Sequence, residues 1–163
     1  MTFRKIYENS FTLDINPAVL TTAQEKGVRI ITSKSGKSFP TFFKKKRSVQ
    51  NERMIEYALA LHKVRAGDTI KNDGDTAILL EIVYMFPHTA STPKWKREGL
   101  AFMTQRPDAD NLSKALVDCM TRMGFWEDDS MVNFRFSKFR FVKPRIDIKY
   151  EVWRQERESN EQE

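Results

Sequence analysis

Arg106-Pro107-Asp108-Ala109-Asp110-Asn111-Leu112-Ser113-Lys114-Ala115-Leu116-Val117-Asp118-Cys119-Met120-Thr121-Arg122-Met123-Gly124-Phe125-Trp126-Glu127-Asp128-Asp129-Ser130-Met131-Val132 reads as one amphipathic helix with acids at both ends. Leu112, Ala115, Leu116, Cys119, Met120 and Met123 recur at i, i+3, i+4, i+7, i+8 and i+11, a single apolar stripe. Gly124 supplies the stop. Cys119 lies on the stripe and is expected to be a buried small hydrophobe.

Upstream, Ala77 to Phe86 is almost continuously apolar and reads as a central strand buried on both faces, with Glu81 the exception. Pro87 ends it. His88 to Pro107 has no period and carries Lys94-Trp95-Lys96-Arg97, so it is expected to be a functional loop. Downstream, Met131 to Val142 alternates with a phase change, Phe134 and Phe136 against Phe139 and Phe141. That predicts either a bulge near Ser137-Lys138 or cover on both faces. After Pro144, Ile146, Ile148, Tyr150 and Val152 alternate with Asp147, Lys149 and Glu151 as a strand with one wet face.

Toward the N-terminus, Phe11 to Ile15 and Val28 to Thr32 read as strands that pair with each other. Ser35-Gly36-Lys37-Ser38 resembles the tail of a phosphate loop, but that motif needs a glycine where Ile31 stands, so no nucleotide site is expected. Ser48 is the expected N-cap of a helix that ends near Gly67. His62 is read as a helix-side or core histidine, since no second ligand stands one turn away. The order is β-β-α-β-loop-α-β-β, a single α+β domain over residues 1–153 with two helices packed on a mixed or antiparallel sheet. Residues 154–163 are expected to be a flexible charged tail.

The 163 residues carry a net charge of +6, although the last ten contain four acids and two bases. One cysteine excludes a disulfide framework within the chain. No apolar run approaches the roughly 18 residues of a membrane span, so a soluble, cytoplasmic protein is expected. Lys44-Lys45-Lys46-Arg47, Lys94 with Lys96-Arg97, and Arg135, Lys138 and Arg140 lie beside aromatic residues. Bases interleaved with stacking groups suit a phosphate-tracking surface.

Against that basic background the acids need an explanation. In an extended segment Asp108 and Asp110 point the same way, and Asp110 stands at the positive end of the helix. Lys114 is four residues on, with Asn111 and Asp118 on the same polar side. One of the pair Asp128 and Asp129 would complete the set. Carboxylates gathered without His or Cys favour Mg²⁺ or Mn²⁺, and such an ion on a phosphodiester can activate water and stabilise the leaving oxygen. Lys114 would hold the water or offset charge. A purely structural reading makes the same residues a cap, an exposed ion pair and a turn.

The run Asp108-x-Asp110-Asn111-x-x-Lys114-x-x-x-Asp118, then Trp126, Asp128-Asp129 and Val132, resembles the signature of RusA-type Holliday junction resolvases. The N-terminal third has no motif that matches. The resemblance implies a homodimeric, Mg²⁺-dependent endodeoxyribonuclease acting on branched DNA such as four-way junctions. It implies metal ligation by Asp108, Asp110 and Asp129, catalytic assistance by Lys114, and a bacterial or phage setting. The competing expectations are a DNA-binding protein of recombination that keeps the fold without cutting, and a metal-free assembly protein with an acidic partner.

Overall fold

A computed structural model describes residues 2–20, 26–44, 46–62 and 68–156. Its strands are β1 (Thr2–Leu13), β2 (Lys26–Thr32), β3 (Ser38–Lys44), β4 (Thr76–Phe86), β5 (Ala101–Phe102), β6 (Val132–Arg140) and β7 (Arg145–Glu156). The helices are α1 (Lys46–Ala60) and α2 (Ala109–Arg122). Five strands form a mixed sheet in the order β1-β7-β4-β6-β5. The expected α+β class holds, with β3 and β5 added to the expected order. No helix of the described residues is long and apolar enough to cross a membrane.

The β4–β6 pair decides where everything else goes. It is parallel, whereas β7 runs antiparallel to β4. Parallel neighbours need a crossover, and α2 lies within it. The chain must return from the end of β4 to the start of β6, so α2 runs antiparallel to both strands. Lys138, near the end of β6, accordingly reaches Pro107 at the N-terminal side of α2 (2.9 Å).

Both helices pack on one face. Ile78, Leu80, Ile82, Tyr84 and Phe86 of β4 are buried there with Ile55 and Leu59 of α1 and the α2 stripe, Cys119 included. Arg122 ties α2 to Glu52 and Glu56 of α1 (3.3 and 2.7 Å). Most of the other face of β4 is not buried as expected: Leu79 is 47% exposed, although Met85 is buried, because both helices of the described residues pack on the first face. Glu81 is explained by this. It stands on the uncovered face opposite Arg135 and Lys149 and pairs with Arg135 at 3.0 Å.

Other expectations shift. β2 pairs with β3 rather than β1, as a hairpin whose turn places Gly36 at φ 79°. Ser48 is the third residue of α1, not its cap. The helix starts two residues earlier, and the buried Ser48 hydroxyl finds no partner among the described residues. The expected helix end near Gly67 lies outside the described residues, as does Lys45; α1 stops at Ala60, and His62 stacks on Phe11 at 4.5 Å. β6 carries no bulge, since its register with β4 is unbroken from Val132 to Arg140. Phe134 and Phe136 pair with core-facing Leu80 and Ile82, whereas Phe139 points to the other face and packs on Phe102 (5.0 Å). β7 runs three residues past the expected domain edge, with Arg154 bonded to Asp73 at 2.8 Å. Residues 157–163 lie outside the described residues.

Candidate active site

Asp108 is the N-cap of α2, with φ −70° and ψ 121°, and its side chain makes no cap hydrogen bond. The segment is therefore not extended through Asp110, which already sits in the first helical turn. The two carboxylates share a helix start, as N-cap and first-turn residue, instead of one face of a strand. The first-turn N–H groups and the positive end of the helix favour negative charge there. Lys114 is exposed one turn beyond Asp110, and Asn111 and Asp118 are half-buried.

The approach to Asp108 is held from β6. Lys138 Nζ donates to the carbonyls of Gln105 and Pro107, both at 2.9 Å. Arg140 donates to Pro87 O at 2.7 Å and to Gln105 Oε1 at 2.9 Å. From beneath, the Tyr84 and Ser113 hydroxyls meet at 3.2 Å in the core, fixing the first turns of α2 on β4. Burial pushes the Tyr84 phenol well above its ordinary range, so it stays protonated. None of these supports is legible in the sequence, because the partners lie far apart in the chain (|i−j| of 29 to 53).

The second acidic pair divides its work. Asp128 Oδ1 accepts from Ser130 N at 2.7 Å, capping a 3-10 turn over Asp129–Met131. The Ser130 hydrogen bonds hold its carboxyl below the usual range. The Asp-x-Ser spacing is an Asx-turn signal that could have marked Asp128 as structural. Asp129, the first residue of that turn, is exposed.

Asp129 and the Asp108–Asp110 pair stand at opposite ends of α2. A helix of 14 residues is about 20 Å long, and Val132 and Lys138 are separated by about the same distance along β6. Among the described residues, no three His, Cys, Asp or Glu side chains gather closely enough to hold a metal ion. One chain thus places Asp108 and Asp110 at the same end of α2, with Lys114 a turn away, and leaves Asp129 apart. Between the two ends, on the helix side of β6, Phe134 and Phe136 are 43% and 42% exposed.

The basic residues separate in the same way. Lys46 and Arg47 are exposed at the start of α1, two and three residues after Lys44, the last residue of β3. Lys94 and Lys96 are exposed beside Trp95. Arg97 is turned inward, bonding Thr92 O and Ala90 O at 2.7 and 2.8 Å. Lys138 and Arg140 are occupied by the supports just described. Arg135 projects from the sheet face away from α2.

The family model for endodeoxyribonuclease RusA matches residues 21–151. A relative from Lactococcus phage r1t, the crossover junction endodeoxyribonuclease rusA, is 27% identical over 143 residues, 87% of this chain and 95% of its own length. The Bacillus subtilis (strain 168) protein YqaN, whose role is uncharacterised, is 28% identical over 79 residues, 46% of this chain and 56% of its own. The match spans the hairpin, both helices and every acid discussed above, and on that extent the chain belongs to the endodeoxyribonuclease RusA family.

Proposed function

We propose that this protein is a metal-dependent, structure-selective endodeoxyribonuclease that resolves four-way DNA junctions by paired hydrolysis and works as a homodimer. The observation that carries the reading is the uncapped Asp108 beside Asp110 at the positive end of α2. The family match and the junction-acting phage relative add the substrate class.

Oxygen-only donors suit Mg²⁺ or Mn²⁺. Two carboxylates at one end of α2 form an incomplete set, and Asp129 is too distant to complete it within a chain. A second copy related by a two-fold axis across Phe134 and Phe136 would bring its Asp129 to the partner's Asp108 and Asp110. A bound ion would supply Lewis acidity toward the phosphodiester and a more acidic water. The chain's own residues do the rest: Lys114 offsets charge on the phosphate, while Lys46, Arg47, Lys94 and Lys96 hold neighbouring phosphates. Two such sites related by symmetry match a substrate whose opposed strands must both be cut.

Incubation with a synthetic four-way junction and Mg²⁺ tests this. The wild-type chain should give symmetric nicks and Asp110→Asn none; equal cutting by the variant removes the assigned site. The separation of Asp129 also favours a second reading, a junction-binding protein that does not cut. Tight binding to the junction with no product under any Mg²⁺ or Mn²⁺ concentration would select it.

A further inference from the structure

We infer that the loop between β4 and β5 is a stacking element for a base left unstacked at the branch point, with the Trp95 indole as its platform. This rests on the junction-acting reading above and adds the feature that would separate branched DNA from plain duplex.

Both ends of the loop are pinned at one residue. Arg140 donates to Pro87 O at 2.7 Å and pairs in the sheet with Ala101. The loop is also ordered from within. Arg97 bonds the carbonyls of Thr92 and Ala90, the Thr89 hydroxyl meets those of Ser91 and Thr92 at 3.1 and 2.9 Å, and Lys96 N bonds Pro93 O at 3.0 Å. A 3-10 turn over Lys94–Lys96 forms the tip. The protein therefore spends an arginine and three hydroxyls on holding an indole in water, with Trp95 73% exposed. Trp126, by contrast, is fully buried.

The location is informative. Arg140, which holds the loop, also holds Gln105, and Lys138 beside it holds Gln105 and Pro107, one residue before Asp108. The tip and the acidic end of α2 thus spring from the same corner of the sheet. The chemistry points to a nucleobase. Lys96 Nζ lies 5.0 Å from the centroid of the Trp95 ring, and the ring nonetheless remains mostly in solvent. Lys94 and Lys96 flank it in sequence and both are exposed, which puts cationic groups beside the ring for the phosphates that accompany a stacked base. An apolar protein partner would leave both lysines buried without an acid. Stacked base pairs within a duplex offer no free face to an indole, whereas the branch point does.

The test compares equilibrium binding of the full chain, in the absence of divalent metal, to a four-way junction and to a duplex of the same arm sequence. Trp95→Ala should weaken junction binding on the order of ten-fold, leave duplex binding within about two-fold, and leave the salt slope unchanged. Trp95→Phe should recover most of the loss. A junction with 2-aminopurine beside the branch should lose fluorescence on binding the wild type, and less with Trp95→Ala. If the wild type prefers the junction and Trp95→Ala keeps that preference, the stacking role is refuted while the junction reading stands. If the wild type binds junction and duplex equally, both fall. A loss on junction and duplex alike assigns Trp95 to general phosphate-side contact and overturns the proposal.

Discussion

Co-expression of Asp110→Asn and Asp129→Asn subunits distinguishes a site shared between two chains from one within a chain. The two side chains are separated by the length of α2, about 20 Å, whereas a Mg²⁺–oxygen bond spans about 2.1 Å. If each ion is held by Asp108 and Asp110 of one subunit and Asp129 of the other, a mixed dimer carries both substitutions in one site and none in its second. Random pairing makes roughly half of the dimers mixed, so about a quarter of the wild-type sites survive. Either variant alone retains none. The assay uses an end-labelled four-way junction with Mg²⁺, its products resolved under denaturing conditions. The mixture should nick at about a quarter of the wild-type rate with few paired cuts, because only one site per mixed dimer works. A mixture as inactive as its parents would refute the shared site.

Three further outcomes follow from the same geometry. Lys138→Ala removes two hydrogen bonds from a charged donor to the Gln105 and Pro107 carbonyls and should cost about 1–2 kcal/mol in urea unfolding. As a support it should lower kcat with an unchanged salt slope for junction binding; a slope lowered by about one would make it a phosphate contact instead. Burial raises the Cys119 thiol to about 11, so at pH 8 only about one thiol in a thousand is ionised. A disulfide reagent should label the native chain at least about 100-fold more slowly than the unfolded one; equal rates would contradict the burial. The Lys149 hydrogen bond, then the Trp153 indole, depress Glu151 to about 2. The sign follows: its contribution is complete above the unfolded value of about 4.3 and is lost as pH falls toward 2. Glu151→Gln should flatten the fall of unfolding free energy over that range, as read by urea titration at stepped pH.

How far the sequence alone could be read depended on whether the signal was local. The stripe from Leu112 to Met123 and the alternation from Ile146 to Val152 are local patterns, and both stand in the structure. β3 was hidden by Pro40 and by bases that look like loop, and β5 is too short to show a period. The pairing of β2 and the cover over β4 were misjudged for one reason. Alternation says that a face is apolar, not which element lies against it. The phase change in β6 had the same ambiguity, and an unbulged strand with aromatics on both faces resolves it.

The site divides along the same line. Residue types and spacing by themselves carried the proposed chemistry: carboxylates without soft ligands, a lysine one helical turn on, bases beside aromatics, and a signature specific enough to point to a family. Asp128 and Asp129 could not be told apart by spacing, and a local cap onto Ser130 separates them. Only the tertiary structure decided that Asp108 and Asp129 lie at opposite ends of α2. The physical reason is the parallel pairing of β4 with β6. A parallel pair forces a return crossover, and that crossover runs α2 back along the strands. The acids that border α2 in sequence are therefore held apart by its full length.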